Sequence, residues 1–322
     1  SPCSEYHWRI SQTTIQIGRI MLVTLQNKHW QVGILPETGG SIAFGRIRYS
    51  GTWVDVMRPT DEADYDNASK TASFLMLPWA NRIRDGILRY DGQSWQLKTT
   101  TEGTARHGDV RKRSWTIAEQ SETHITLTIK SSDFEDMNFP FAFSAQLTYR
   151  LEDEAFIWDV TLTNDDERDF PAGFGFHPYF VRMSPNMPML EVPCDQYFVL
   201  DDTAMPESAP EPILPELNFQ QLRPVQDDFS FDHLLANRDT SKPVRLIYEA
   251  WNTEIEMSSD SLYKHVILFS APDGSMAVEP QSNANDGFNL RENGIHDGGV
   301  FVVETGQSVQ GAIKLSVLPY SN

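Results

Sequence analysis

The sequence predicts an all-β protein, a large antiparallel β-sandwich with few short helices. Three observations carry that expectation. Apolar residues alternate with a period of two wherever a period is visible. No stretch of ten or more residues places apolar side chains at i, i+3, i+4 and i+7. Glycine and proline, 19 of each, are scattered as turn punctuation rather than gathered into a linker.

Along the chain, "HITLTIK" sets Ile125, Leu127 and Ile129 on one face of a strand, with threonines between. "FPFAFSAQLTYRL" continues the pattern through Phe139, Phe141, Phe143, Leu147, Tyr149 and Leu151. "FIWDVTLTN" follows with Phe156, Trp158, Val160 and Leu162 on one side, and the "EDE" between them at 152–154 predicts a hairpin. Near the C-terminus "AIKLSVL" repeats the alternation through Ile313, Leu315 and Val317. The proline-rich segment 203–224 has strand patterns on both sides, so it reads as a long surface loop. No repeat of solenoid or propeller length is visible. One domain over 1–322 is expected, with a core of the size that a chain of 322 residues can bury.

Composition narrows the partners. The formal charge is −19, which repels phosphate backbones and anionic lipid, so neither nucleic acid nor a membrane surface is expected. No apolar run approaches the ~18 residues that span a bilayer. A small molecule fits better. Two cysteines, Cys3 and Cys194, exclude a disulfide framework and a CxxC zinc site, and two independent thiols are expected. The opening "SPCSEYHW" has neither a basic nor an apolar leader region, and a cytoplasmic location is expected. It also lacks an initiator methionine, which leaves a removed leader open.

Three polar residues stand out as candidates for chemistry. His107 precedes a glycine in "ARHGDV", His177 sits in "GFGFHPYF", and Glu279 follows the apolar run Met276, Ala277, Val278 and precedes a proline. A carboxylate closing an apolar strand is a candidate for a raised pKa. Taken singly, each histidine in a β-protein is more often a packing residue, and a glutamate at a strand end is more often solvated. In "LPWANRIRDG", Asn81 and Arg82 can donate to hydroxyl oxygens and Trp79 offers an apolar face to a sugar ring. Asp232 in "FDHLL" can accept from hydroxyls or cap a turn. Nucleophile-elbow, P-loop, HExxH and dinucleotide-binding patterns are all missing. "DEADYDN" lacks the glycine and distal glutamate of an EF-hand loop.

In this order, "WANRIRDG", "RHGD", "TNDDERDFPAGFGFHPYF", "FDHLL" and "VEPQSNANDGFN" resemble the aldose 1-epimerase (galactose mutarotase) family. The resemblance runs from about residue 77 to 290 and implies a β-supersandwich fold. It implies an isomerase that interconverts the α and β anomers of a free aldose, needing no metal or organic cofactor, as a monomer or homodimer. Residue by residue it implies His177 as general acid, Glu279 as general base and His107 as a sugar contact that positions or protonates the sugar. Arg82, Asn81 and Asp232 become substrate-binding residues. Glu279 and His177 are expected to meet across a sugar-sized hollow, about a pyranose apart, with burial raising the glutamate towards the histidine. The glycines at 173 and 175 are expected to let backbone and aromatics close around the sugar. "FHPYF" departs from the His-Ser-Tyr-Phe of galactose-specific members, which leaves the sugar open. Three alternatives stand beside this reading. One is a mutarotase for a phosphorylated or sulfonated sugar, kept alive by Arg111, Lys112 and Arg113. Another is a non-catalytic carbohydrate-binding protein of the same fold. The third is a metal site formed by His107, His177 and Glu279.

Overall fold

The computed structural model describes residues 14–17, 20–182, 187–226, 228 and 230–321. Among these, strands dominate and the one α-helix is Gly287–Glu292. No helix of the described residues is long and apolar enough to cross a membrane.

The strongest alternating runs form the middle of a nine-stranded antiparallel sheet. His124–Lys130, Phe143–Glu152, Ala155–Asn164, Ser308–Pro319, Thr253–Ser259 and Val244–Tyr248 lie side by side in that order. The expected hairpin is present. Glu152 pairs with Ala155, and Asp153 takes a left-handed φ of 49° in the tight turn between them. Its register places Leu147 opposite Val160 and Tyr149 opposite Trp158, so the apolar faces of both strands bury together. Phe139 and Phe141 precede the first strand rather than belonging to it. They are buried all the same, in a ring cluster with Phe143 and Phe170.

A second sheet of eight strands carries Cys194–Phe198, Asp232–Arg238, His265–Ser270, Met276–Gln281, Gly175–Phe176 and Leu75–Met76 in that order. Trp158 of the first sheet meets Phe176 of the second at 5.1 Å between ring centroids, which marks the core between the two layers. A five-stranded sheet from Thr14–Ile17 to Thr52–Asp55 joins this core. Trp30 lies 5.6 Å from Phe156, and the Tyr149 hydroxyl donates to the Gly40 carbonyl.

The 203–224 segment is more than a surface loop. It contributes two-residue strands at Glu211–Pro212 and Arg223–Pro224, and it buries Met205, Leu217 and Phe219. Prolines suit these edge positions, where no partner strand demands an N–H. Cys194 is a buried free thiol, and Cys3 lies outside the described residues.

Candidate active site

Glu279 stands in Met276–Gln281, a strand paired on one flank with His265–Ser270. Strand alternation puts Ala277, Glu279 and Gln281 on one face and turns Val278 and Pro280 to the other. Val278 therefore does not wall the carboxylate, although it precedes Glu279 in the apolar run. The cross-strand partner is Ile267, which lines the same cavity as Phe269 and Tyr179. Pro280 sits within the strand opposite Val266, so it does not end the ladder.

His177 is held by its own backbone and by two rings. Its N–H donates to the Phe74 carbonyl, and its imidazole is stacked between Phe74 and Tyr179 at 4.7 and 4.6 Å. This clamp aims Nε2 at Glu279 Oε1, 3.1 Å away. The two groups are neighbours in contact on one wall, not partners facing each other across a pyranose.

His107 comes from a strained corner. His107 and Gly108 both have left-handed backbones, with φ of 62° and 66°. The His107 N–H donates to the Asn81 carbonyl, and the Asp109 N–H donates to that of Leu77. The turn presents the His107 ring 5.4 Å from that of His177 and edge-on to Phe74.

The segment after Glu279 clamps the one carrying Asn81 and Arg82. Asn283 accepts from the Ala80 N–H and donates to the Ala80 carbonyl, both at 3.0 Å. The Asp286 N–H donates to the Arg82 carbonyl, and the Asp286 carboxylate accepts from the Arg84 N–H. This also explains the glycines. A Cβ at Gly173 would lie 2.1 Å from Asn283 Oδ1, and one at Gly175 would lie 2.8 Å from the Pro280 carbonyl. They permit close packing behind the site and do not line it. Phe174 and Phe176 are wholly buried in the core.

His107, His177, Glu279, Arg82, Asn81 and Asp232 all line one cavity of about 230 Å³. That is smaller than the ~300–1,000 Å³ of sites for drug-sized ligands and suits one small molecule. Arg82 reaches it from the rim, donating to the Thr203 carbonyl and pairing with Glu102 at 3.2 Å. Asp232 lies exposed at the mouth. A larger hollow of about 660 Å³, lined by Ser114, Thr128 and Thr161 among others, contains none of these six residues. Trp79 is wholly buried against Phe139 and offers no face to a sugar. Sequence reasoning missed Arg106, Tyr179 and Asn285 in the lining. The first two stand beside or two residues from a chosen histidine, where strand alternation could have pointed to Tyr179.

Several buried polar atoms here have no protein partner: Glu279 Oε2, Nδ1 of both histidines and Asn285 Oδ1. Buried polar atoms are almost always satisfied, so such a convergence marks where a polar ligand would sit. Burial disfavours the charged forms of Glu279, His177 and His107. It raises the Glu279 carboxyl well above its usual range, with the Asp232 charge adding to the effect. It pushes His177 down to about 3 and His107 well below the ordinary histidine value. The expected ordering of the pair is thus inverted: glutamate and histidine do not merely approach each other but cross.

A pH dependence follows. Glu279, with its pKa raised on folding, costs stability as pH climbs above the ordinary glutamate value of 4.5. The histidines, with theirs lowered, cost stability as pH falls below 6.5. Glu279→Gln removes the first cost alone. The variant's melting temperature relative to wild type is therefore expected to rise as pH climbs upward from 4.5. An unchanged difference above that pH would refute the desolvated carboxyl.

Comparison with known proteins gives the same direction. The family model described as aldose 1-epimerase matches residues 21–316. The Escherichia coli K12 protein YihR is 26% identical over 67% of this chain and 71% of its own length. The aldose 1-epimerase of the same organism is 23% identical over 66% of this chain, and the match spans 63% of that enzyme. Among solved structures, a galactose mutarotase-like protein from Clostridium acetobutylicum superposes with a TM-score of 0.82 at 15% identity, covering 93% of this chain and 96% of that one. An aldose epimerase homologue from C. elegans gives 0.80 at 17% identity, covering 94% and 100%. At such identities the likeness is one of fold, and the fold is galactose mutarotase-like, as the motifs implied.

Proposed function

The chain belongs to the aldose 1-epimerase family, and from that premise we propose that it interconverts the α and β anomers of an aldose whose anomeric hydroxyl is free. The observation that supports this most directly is the buried contact of 3.1 Å between Glu279 Oε1 and His177 Nε2, with unpartnered nitrogens and oxygens around it.

In this reading the pair carries one transferable proton. With the proton on His177, Glu279 takes the anomeric O1 hydrogen while His177 protonates the ring oxygen. The C1–O5 bond opens, the C1–C2 bond rotates, and the aldehyde closes on its other face as the proton transfers run backwards. With the proton on Glu279 the two exchange roles. A freely reversible reaction uses both states, and direct contact lets the proton pass between them. Neutral His107 supplies a hydrogen bond to the ring oxygen or a neighbouring hydroxyl. Arg82, Asn81 and Asp232 hold the remaining hydroxyls.

Exchange NMR on equilibrated aldoses tests the proposal. Saturation transferred between α and β anomeric protons should rise in proportion to added protein. A panel of aldoses showing no acceleration would refute it.

A further inference from the structure

The charge of the cavity does not suit a neutral sugar. In a chain of net charge −19, this one cavity is lined by three guanidinium groups, those of Arg82, Arg106 and Arg111, against two carboxylates, Asp232 and Glu279. Arg82 and Arg106 share a single exposed carboxylate, Glu102, at 3.2 and 3.5 Å.

Arg111 has no such partner among the described residues. It is 7% exposed, donates to the Ser69 hydroxyl at 2.9 Å and rests over the Phe74 ring at 5.1 Å. Its Nε is buried without a partner, and so is that of Arg106. Burial and the charge of Arg106 together push Arg111 down to about 10. Removing one partner of a buried charge pair is strongly unfavourable, because an uncompensated charge remains. Arg111, buried beside a second guanidinium whose only carboxylate partner among the described residues is shared and exposed, needs an anion.

The local chain path puts Arg111 there. Residues 110–112 form a single 3₁₀ turn, which sends consecutive side chains in different directions. Arg113 turns outward to Asp109 and Asp136 at 2.6 and 2.7 Å, and Arg111 turns into the cavity. The basic run at 111–113 is thus divided between structure and site.

We infer that the substrate is an aldose bearing a short oxyanion substituent, a phosphate, sulfonate or carboxylate, and that Arg106 and Arg111 hold it while C1 faces Glu279 and His177. This rests on the anomer-exchange reading above and names its substrate class. Guanidinium forks match oxyanions with paired, charge-assisted hydrogen bonds.

The test uses the full chain and exchange NMR with glucose, glucose 6-phosphate, 6-deoxy-6-sulfoglucose and glucuronate. One or more of the anionic aldoses should exceed glucose in kcat/KM by about 100-fold, and the preferred member identifies the anion. Arg111→Met should raise KM for that sugar by ~10²-fold with a smaller change in kcat. Calorimetry with sodium sulfate alone should show binding that Arg111→Met abolishes, and this readout does not depend on turnover. If that variant fails to fold, Arg106→Met takes the same measurements. Glucose exchanged as fast as every anionic aldose would overturn the inference and leave the reaction standing. No exchange with any of the four would overturn the reaction itself, and the substrate assignment with it.

Discussion

Glu279→Gln is expected to lower anomer exchange by about 10²–10⁴-fold while leaving the fold intact. The amide keeps the shape of the carboxylic acid and can still lie against His177, but it can neither take nor return a proton. His177→Asn should lose a comparable factor by the same measurement. The direct 3.1 Å contact sets the relation between them. Two groups that pass one proton act as a unit, so the double variant should be little worse than either single one. Multiplicative losses would mean that the two side chains work independently, which would refute the shared proton. Near-normal exchange in Glu279→Gln would remove the glutamate from the chemistry altogether. Circular dichroism and a thermal melt on each variant separate chemical loss from unfolding.

Gly108→Ala is expected to cost about 2–5 kcal/mol of stability, from backbone strain combined with a clash that has no soft side. The residue sits at φ 66°, where an L side chain is disfavoured, and its added Cβ would lie 2.0 Å from the Leu77 carbonyl oxygen. Backbone cannot yield as a flexible side chain can. The turn would have to move, taking His107 on one side and Arg111 on the other out of the cavity they share. Chemical denaturation checks the stability loss, and exchange NMR checks that activity falls further than the unfolded fraction explains. A variant as stable and as active as wild type would show that this corner is not what places His107.

Much of the fold was legible because it depends on local alternation. The faces of His124–Lys130, Phe143–Glu152 and Ala155–Asn164 can be read residue by residue, since a strand's side chains alternate whatever it packs against. Phe139 and Phe141 carried the same pattern and lie outside the strand, because their burial comes from Phe170, a residue that no local window contains.

The candidate site divides in the same way. His107, His177, Glu279, Arg82, Asn81 and Asp232 were each named from short motifs, and all six line one cavity. Their relations were not legible. That Glu279 touches His177 rather than facing it depends on a strand crossing between residues about 100 positions apart and on a ring clamp made by Phe74. That Trp79 packs into the core, that Gly173 yields space to Asn283, and that Arg111 rather than Lys112 or Arg113 enters the cavity all depend on pairings distant in sequence. Side-chain type and strand period are properties of the chain itself. Distance, burial and the resulting proton affinities arise only when separate segments exclude water from one another, and those are the quantities on which an acid–base site depends.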